Sequence, residues 1–488
     1  MHDDADAPGS DGANRENRAG GARPRRRAAG AAVWDHEHRR LTIGLLLVIS
    51  ITAFEALAVA TVLPATATDL GGAASLGWYG WVFSGFMLAN LVGIPAAGLL
   101  ADRGGPARPF VVGCVLFAFG LVVAGLASSM PVVVAGRIAQ GFGAGALSSI
   151  AYVAVVRGYA AVDQPRMLAL LASAWVVPGL VGPSAAAALA HQFGWRSVFL
   201  LLVPLTAIAA ALAMKGLGSL APSSGGDDSP PASMRAALQL AVGAGIALLG
   251  AESHALLATV ACAAVGIAIG LPALRRLLPV GTLRASPGAP AALATKGLVT
   301  FAFFGAEAFL PLALTTVRGE SMVMAGVALT AGTLAWTTGA WIQERLVSRV
   351  DRVALVRTGV AMVAVAIVGA GSVLVVESPG AVAIASWALA GLGIGVSYST
   401  TTLIVFETTL EGGEGRAASA LQLVNVLGVA FGTGIGGAVL GIATGLGGSQ
   451  GMGIAVIDAV MVGAALLGFT AAGRSPCSVG SLAVASRA

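Results

Sequence analysis

Four ionisable residues stand inside long apolar stretches of the chain: Glu55, Arg137, Glu307 and Asp458. An ionisable group in such surroundings costs roughly a few kcal/mol or more, so each needs a reason. A carboxyl group there can carry a proton, because desolvation and a nearby cation move its proton affinity in opposite senses. A conformational change that alters either influence then switches the group between holding and releasing the proton. Glu55 and Arg137 have the residue types for such a pair; the other reading is a static buried ion pair. Glu307, in FFGAEAFLPL, is a candidate proton or cation site, or else part of a packed interface. Asp458 reads as structural.

A rise of about 1.5 Å per helical residue sets the depths. Glu55 lies nine positions before Pro64, and Arg137 about six positions into its apolar run. Both fall roughly 9–13 Å from the same face, so the two can pair across helices. Glu307 and Asp458 fall at similar depths, which places all four in the outer third of the apolar layer.

The elements that must hold these groups follow from composition. Of 488 residues, 57% are hydrophobic and only 10% charged, and the mean hydropathy is +0.86. Soluble domains average about 25% charged residues. Continuously apolar runs of about 20 residues recur, the length of a membrane-spanning helix. Barrel strands would instead alternate polar and apolar residues. The chain therefore reads as an all-α membrane protein. Its three cysteines make neither a disulfide framework nor zinc spacing. No Walker-type phosphate loop, His-Glu-x-x-His pattern or Gly-x-Ser-x-Gly elbow is present, so ATP-driven and hydrolytic chemistry are not expected, and neither is a metal.

Helices are expected at about 41–64, 78–101, 109–128, 131–155, 167–190 and 196–214, then a pair at 236–252 and 255–274, then six more at 292–314, 321–343, 353–375, 379–404, 416–441 and 452–472. This divides the chain into a basic, disordered cytoplasmic tail (1–40), an N-terminal six-helix bundle (41–214), a linker (215–235), two extra helices (236–274), a loop (275–291), a C-terminal six-helix bundle (292–472) and a cytoplasmic tail (473–488). The arginines at 23 and 25–27 can fix topology or touch anionic lipid heads. Most of the 28 Lys and Arg residues fall in alternate segments, leaving Arg196 and Arg318 on the other side and Arg137 within a helix. That bias puts both termini in the cytoplasm. A 12-helix reading without the middle pair keeps the same parity; the length of those two runs favours 14.

The halves repeat. GLLADRGGPAR (Gly98 to Arg108) and GAWIQERLVSR (Gly339 to Arg349) each close the second helix of a half and enter a short basic loop. Glycine ahead of the polar turn lets two helices approach closely. Asp102, expected beside Arg103 and Arg108, can brace a neighbouring helix end. GLVGPSAAAALA in the fifth helix corresponds to GVAFGTGIGG in the thirteenth. Paired six-helix halves are a hallmark of transporters.

These motifs resemble those of the major facilitator superfamily. Gly98, Asp102, Arg103, Gly105 and Arg108 match its loop 2–3 signature, with Ala107 departing from the basic residue expected there. Arg137, Gln140, Gly141 and Gly145 look like its helix 4 motif. Pro178, Gly179, Gly182 and Pro183 are similar to the helix 5 motif associated with antiporters, although Ala186 and Ala187 replace its final glycines. GWRSVFLLLVP resembles the segment after helix 5 in the 14-helix drug:proton antiporters. The resemblance covers about 41–475. It implies two six-helix bundles around a cavity, export of small, largely hydrophobic compounds by proton antiport, no cofactor beyond the proton gradient, and a monomer in the plasma membrane without nucleic-acid partners. A helix 1 acid and the helix 4 arginine are associated with coupling in that subfamily, which matches Glu55 and Arg137, with Glu where Asp is usual. A nutrient symporter on the same fold and a non-transporting sensor or scaffold are the other readings. Asn90 and Gln140 can serve packing or substrate contact, and Trp175 and Trp336 can line a cavity or fill core volume. Pro183 is expected to kink the fifth helix.

Overall fold

The computed structural model describes residues 32–36, 38–70, 76–220, 232–251, 256–374, 378–410, 412–445 and 447–475. The arginines at 23 and 25–27, residues 221–231 of the linker and the last 13 residues of the second tail lie outside these. Every described element is helical, as apolar surroundings require: backbone groups with no water to bind must be satisfied within their own segment.

The N-terminal half comprises α1 (Arg39–Asp69), α2 (Leu76–Gly104), α3 (Ala107–Gly125), α4 (Met130–Gly158), a broken fifth span made of α5 (Gln164–Ser173) and α6 (Val176–Phe193), and α7 (Arg196–Gly218). The hairpin α8 (Ala232–Ala251) and α9 (Leu256–Leu277) follows. The C-terminal half comprises α10 (Ala289–Glu307), the short turn α11 (Leu310–Leu312) with a π-helical turn at Ala313–Val317, then α12 (Met322–Leu346), α13 (Arg352–Gly371), α14 (Ala381–Glu407), α15 (Glu414–Gly445) and α16 (Gln450–Ala472). Twelve spans among the described residues are long and apolar enough to cross a membrane. The expected count of 14 also needs α8, whose apolar stretch Met234–Ala247 is shorter, and α12, which falls outside the twelve.

The repeat is visible in which helices touch. Within the first half α4 packs on α2 and α3, α1 on α6 and α7, and α3 on α7. Within the second, α14 packs on α12 and α13, α10 on α15 and α16, and α13 on α16. The α8–α9 hairpin lies against α2.

Glycine makes these seams. A β-carbon at Gly141 would collide with the Phe86 carbonyl, and one at Gly145 with the Asn90 carbonyl, so this face of α4 meets the α2 backbone directly. Gly136 and Gly143 do the same toward α3. In the second half Gly391 and Gly395 meet the Gly332 and Trp336 carbonyls of α12, and Gly393 meets α13. Small residues are the currency of helix association in lipid, where close backbone approach replaces the hydrophobic effect.

Several expected boundaries shift. The chain is structured ahead of residue 40: Ala32–Trp34 forms a 3-10 turn, Val33 is buried, and the Thr42 hydroxyl lies 2.8 Å from both the Val33 carbonyl and the Tyr159 hydroxyl. Helix α1 runs through Pro64 to Asp69, so Glu55 sits about 21 Å from that end, near mid-helix and not in the outer third. The fifth span breaks at Ala174–Trp175, whereas Pro183 lies within continuous α6. The cause is Pro178, which has no N–H to offer the Ala174 carbonyl four residues back. That carbonyl accepts the Ser50 hydroxyl of α1 instead, at 2.9 Å. The C-terminal half breaks by the same rule: Pro311 cannot bond the Glu307 carbonyl, and α10 ends there. At the far end, Gly194 takes a left-handed φ of +80°, and Trp195 and Arg196 donate to Asp69 at 3.1 and 2.8 Å. Those bonds hold the Asp69 carboxyl below the usual carboxylate range.

Gly141→Ala is expected to lower stability by about 1–3 kcal/mol through overpacking at α2. Gly434→Ala, with nothing within 4 Å of its β-carbon, is the neutral control. Equal unfolding midpoints for the two variants in mixed detergent would contradict the seam described here.

Candidate functional site

Arg137 and Glu55 meet. The two side chains form an ion pair at 2% and 1% residue exposure, which leaves no room for water to share the charge. Arg137 Nη1 also donates to Gln140 Oε1, its Nε donates to the Val82 carbonyl at 3.1 Å, and the guanidinium lies 4.2 Å from the Phe86 ring centroid. The helix 4 spacing therefore puts Arg137 and Gln140 on one turn facing α1 while Gly141 seats α2. The second carboxylate oxygen, Glu55 Oε2, is buried without a hydrogen-bond partner, as is Gln140 Nε2. An acceptor in that position can take a proton without surrendering an existing bond.

The loop 2–3 residues form a second assembly, between the halves. Asp102 Oδ1 accepts from Gly415 N at 2.7 Å and from Arg157 Nη2 at 2.8 Å, and Oδ2 accepts from Arg416 N at 3.0 Å. Asp102 thus caps the start of α15, where the helix dipole favours an anion. Arg157 of α4 also reaches Glu414 Oε2 at 2.9 Å. Spacing put Arg103 and Arg108 beside Asp102; the cation paired with it is Arg157, brought there by the α2–α4 seam, while Arg103 and Arg108 are exposed. Gly98 lies flat against Gly415, where a β-carbon on either would strike the other's carbonyl. Gly105, at φ +82°, turns the chain out of α2 in a conformation L side chains avoid. One turn deeper, the Ser419 hydroxyl donates to the Ile94 carbonyl at 3.1 Å and lies 3.4 Å from the Ser149 hydroxyl.

The repeated segment does not reproduce this. Gly339 faces the Leu392 backbone of its own half, and Gln343, in the place of Asp102, is fully buried with neither amide atom hydrogen-bonded. At that seam Trp341 Nε1 donates to Ser173 Oγ at 2.9 Å, and the Arg166 guanidinium lies 6.0 Å from the indole ring centroid.

The helix 5 motif joins both halves at the break. Pro178 is buried, Gly179 faces Thr333 of α12, and Gly182 faces Phe54 and Leu57 of α1. Trp175, at the break itself, is 47% exposed. Asn90 is buried on α2 with its Oδ1 unpartnered. Trp336 belongs to an aromatic wall: it packs edge-on to Phe303 and Tyr398, and Phe303 stacks on Trp387. Trp387 Nε1 in turn donates to Glu307 Oε1 at 3.4 Å. Glu307 is therefore remote from the Glu55–Arg137 pair in sequence and partners, and stands at the end of this wall. Asp458 approaches Gly371 of α13.

One buried cation was missed. Lys296 lies four residues into the run expected at 292–314 and was not singled out there; in the structure it is seven residues into α10, about 10 Å from the helix end, and fully buried. Among the described residues no three His, Cys, Asp or Glu side chains gather as metal ligands, and Cys114 and Cys262 are free thiols.

Two repeated helical halves, glycine-seamed and enclosing buried charge, define a membrane transporter and not an enzyme. The chain belongs to the Major Facilitator Superfamily, whose profile matches residues 44–433. It is 26% identical over 405 residues to a "probable multidrug-efflux transporter" of Mycobacterium tuberculosis (strain CDC 1551 / Oshkosh), covering 79% of this chain and 84% of the relative. It is 28% identical over 403 residues to an "uncharacterized transporter" of Escherichia coli (strain K12), covering 80% and 86%. Among solved structures, a human organic anion transporter superposes with a TM-score of 0.67 at 15% identity, covering 89% of this chain and 99% of that one. A proton:xylose symporter superposes at 0.62 and 16% identity, covering 88% and 94%.

Two outcomes follow from this geometry. Arg137→Ala strands a buried carboxylate and is expected to cost about 3–5 kcal/mol, with Glu55→Gln in the same chain recovering part of the loss; a double variant no more stable than the single one would refute the pairing. Arg157→Ala is expected to loosen the Asp102 cap. In a background with Cys114, Cys262 and Cys477 replaced by serine, maleimide labelling of Ser149→Cys should then accelerate by about tenfold or more, a shift of about 1.4 kcal/mol in the opening equilibrium. Unchanged labelling would show that the cap does not hold this end shut.

Proposed function

We propose that the protein exports small, largely apolar compounds by alternating access, exchanging each for protons that flow inward. It acts as a monomer in the plasma membrane, with both termini and the Asp102–Arg157 assembly on the cytoplasmic side. The observation that carries this reading is Glu55, buried against Arg137 with one carboxylate oxygen unpartnered. A proton on Oε2 removes the charge that Arg137 balances, and the freed guanidinium then leans on Gln140, Val82 and Phe86. Loss of that proton restores the pair. Each state favours a different packing of α1 on α4, and α1 touches the α6 break through Ser50 and through Gly182.

The contacts between halves support the second element of the cycle. They join α2 and α4 to α15 and α5 to α12 at the loop 2–3 end, so the chain is closed on that side here. Opening it breaks charge-assisted bonds worth about 1.5–3 kcal/mol each, a load that proton and substrate binding can offset. The mycobacterial relative's name supports drug-like cargo, and the mostly aromatic and aliphatic wall around Trp336 suits several ligands over one.

Everted vesicles with an acid interior test the reading. Wild-type vesicles should accumulate an uncharged lipophilic dye such as Nile red and release protons as they do so. Glu55→Gln should lower the initial rate by about tenfold or more, equal to about 1.4 kcal/mol. Accumulation that ignores the gradient would remove proton exchange, and accumulation only with an alkaline interior would indicate symport.

A further inference from the structure

Of the two fully buried cations among the described residues, Arg137 and Lys296, only Arg137 has a carboxylate. Lys296 Nζ donates to Thr402 Oγ1 at 2.7 Å and lies 3.1 Å from the centroid of the Tyr398 ring, with the Tyr152 ring at 5.9 Å. An ammonium carries three donors. One finds a hydroxyl, whose own proton goes to the Tyr398 carbonyl at 2.8 Å, and the rest meet π faces. A π face attracts a cation far less than a carboxylate does. The site thus holds a charge and two donor directions that this conformation covers but does not match.

The cover comes from both halves. Tyr398 belongs to α14, as does Thr402, but Tyr152 belongs to α4 of the opposite half. Counting from the helix ends, Tyr152 is six residues before Gly158, Lys296 seven after Ala289 and Tyr398 nine before Glu407, so all three lie roughly 9–14 Å below the closed end. They sit beneath the Asp102 and Arg157 contacts, and parting those contacts carries Tyr152 away with α4. Beyond Tyr398 the aromatic wall continues through Trp336 to Phe303.

We propose that Lys296 is the recognition group for an anionic substituent, a carboxylate in particular, on compounds whose aromatic or apolar body lies along Tyr398, Trp336 and Phe303. The inference rests on the transporter reading and narrows its cargo. When the loop 2–3 end opens, the carboxylate takes the place of the Tyr152 ring and accepts the two unmatched donors. When that end closes, Tyr152, Tyr398 and Thr402 reclaim the ammonium and the anion is displaced, which gives binding on one side and release on the other.

The test uses three dyes that share one body: dansylglycine, its neutral amide dansylglycinamide, and the cationic N-dansylethylenediamine. Binding to the full chain in nanodiscs is followed by dansyl fluorescence. The wild-type protein should bind the carboxylate about tenfold or more tighter than the amide. Lys296→Met should reduce that ratio to about one, and Lys296→Arg should retain it in part. Equal affinity for the acid and amide, or no binding of the acid, overturns the assignment from the wild-type protein alone, whatever the variants' folding. A preference that survives in well-folded Lys296→Met also overturns it. Everted vesicles separate this from the export reading. If the amide or amine is pumped and the acid is not, the anion assignment falls while export stands. If the acid binds selectively but no dye is pumped, export falls while the anion site stands.

Discussion

A carboxylate from one half caps the first turn of a helix from the other. Asp102 receives two backbone N–H groups of α15 and the Arg157 guanidinium, and Arg157 in turn holds Glu414. The arrangement works because three separate features coincide. Glycine at 98 and at 415 brings the two backbones together, the α15 terminus offers unsatisfied donors, and the α2–α4 seam delivers Arg157 to the same point. Remove any one and the others lose their purpose. The junction is thus the point at which elements of both halves are fixed against one another.

The seams within and between halves differ in kind. Inside each half, glycines lock α4 on α2 and α3, and α14 on α12 and α13, backbone against backbone. Such contacts move as a unit, because sliding them would drive Cα and carbonyl atoms together. Between halves, the Gly98–Gly415 approach is of the same kind, but around it the junction is made of side-chain hydroxyls, an indole and ions, which can exchange one set of partners for another. Glu55 and Arg137 both belong to the first half, so their ion pair lies within one such unit and not across the junction.

Much of this was legible in residue order. Charges in apolar runs flagged Glu55, Arg137 and Glu307, because lipid-facing sequence has so few that each one carries information. The glycine-then-polar turn marked a close helix approach at Gly98 and Gly339, but not that only the first of these lies between the halves. Three things were hidden. Arg157 falls just past the end expected for its helix at 155 and Lys296 just inside the start expected for another at 292, where a helix end cannot be told from its loop within a few residues. An unmatched carbonyl lies four residues before a proline, so Pro178 sets the break that was sought at Pro183, and Pro311 sets one that was not expected at all. The extent of α1 past Pro64 shifted Glu55 toward mid-helix, because helices in lipid tolerate a proline when neighbours satisfy the freed carbonyl. The aromatic wall around Trp336 needed the azimuth of three helices, α10, α12 and α14, which no single run of residues contains.

The two junctions between halves are unequal. One is ionic, at Asp102; its counterpart has Gln343 with no partner for its amide and an indole resting on Ser173. The Asp102 and Arg157 side chains are about nine-tenths shielded, so dissolved ions screen the first only weakly. The second holds its charge as the Arg166 guanidinium over the Trp341 ring, an attraction that involves no carboxylate. Parting the first would therefore bare carboxylates that water or a proton must satisfy, whereas parting the second would bare no anion.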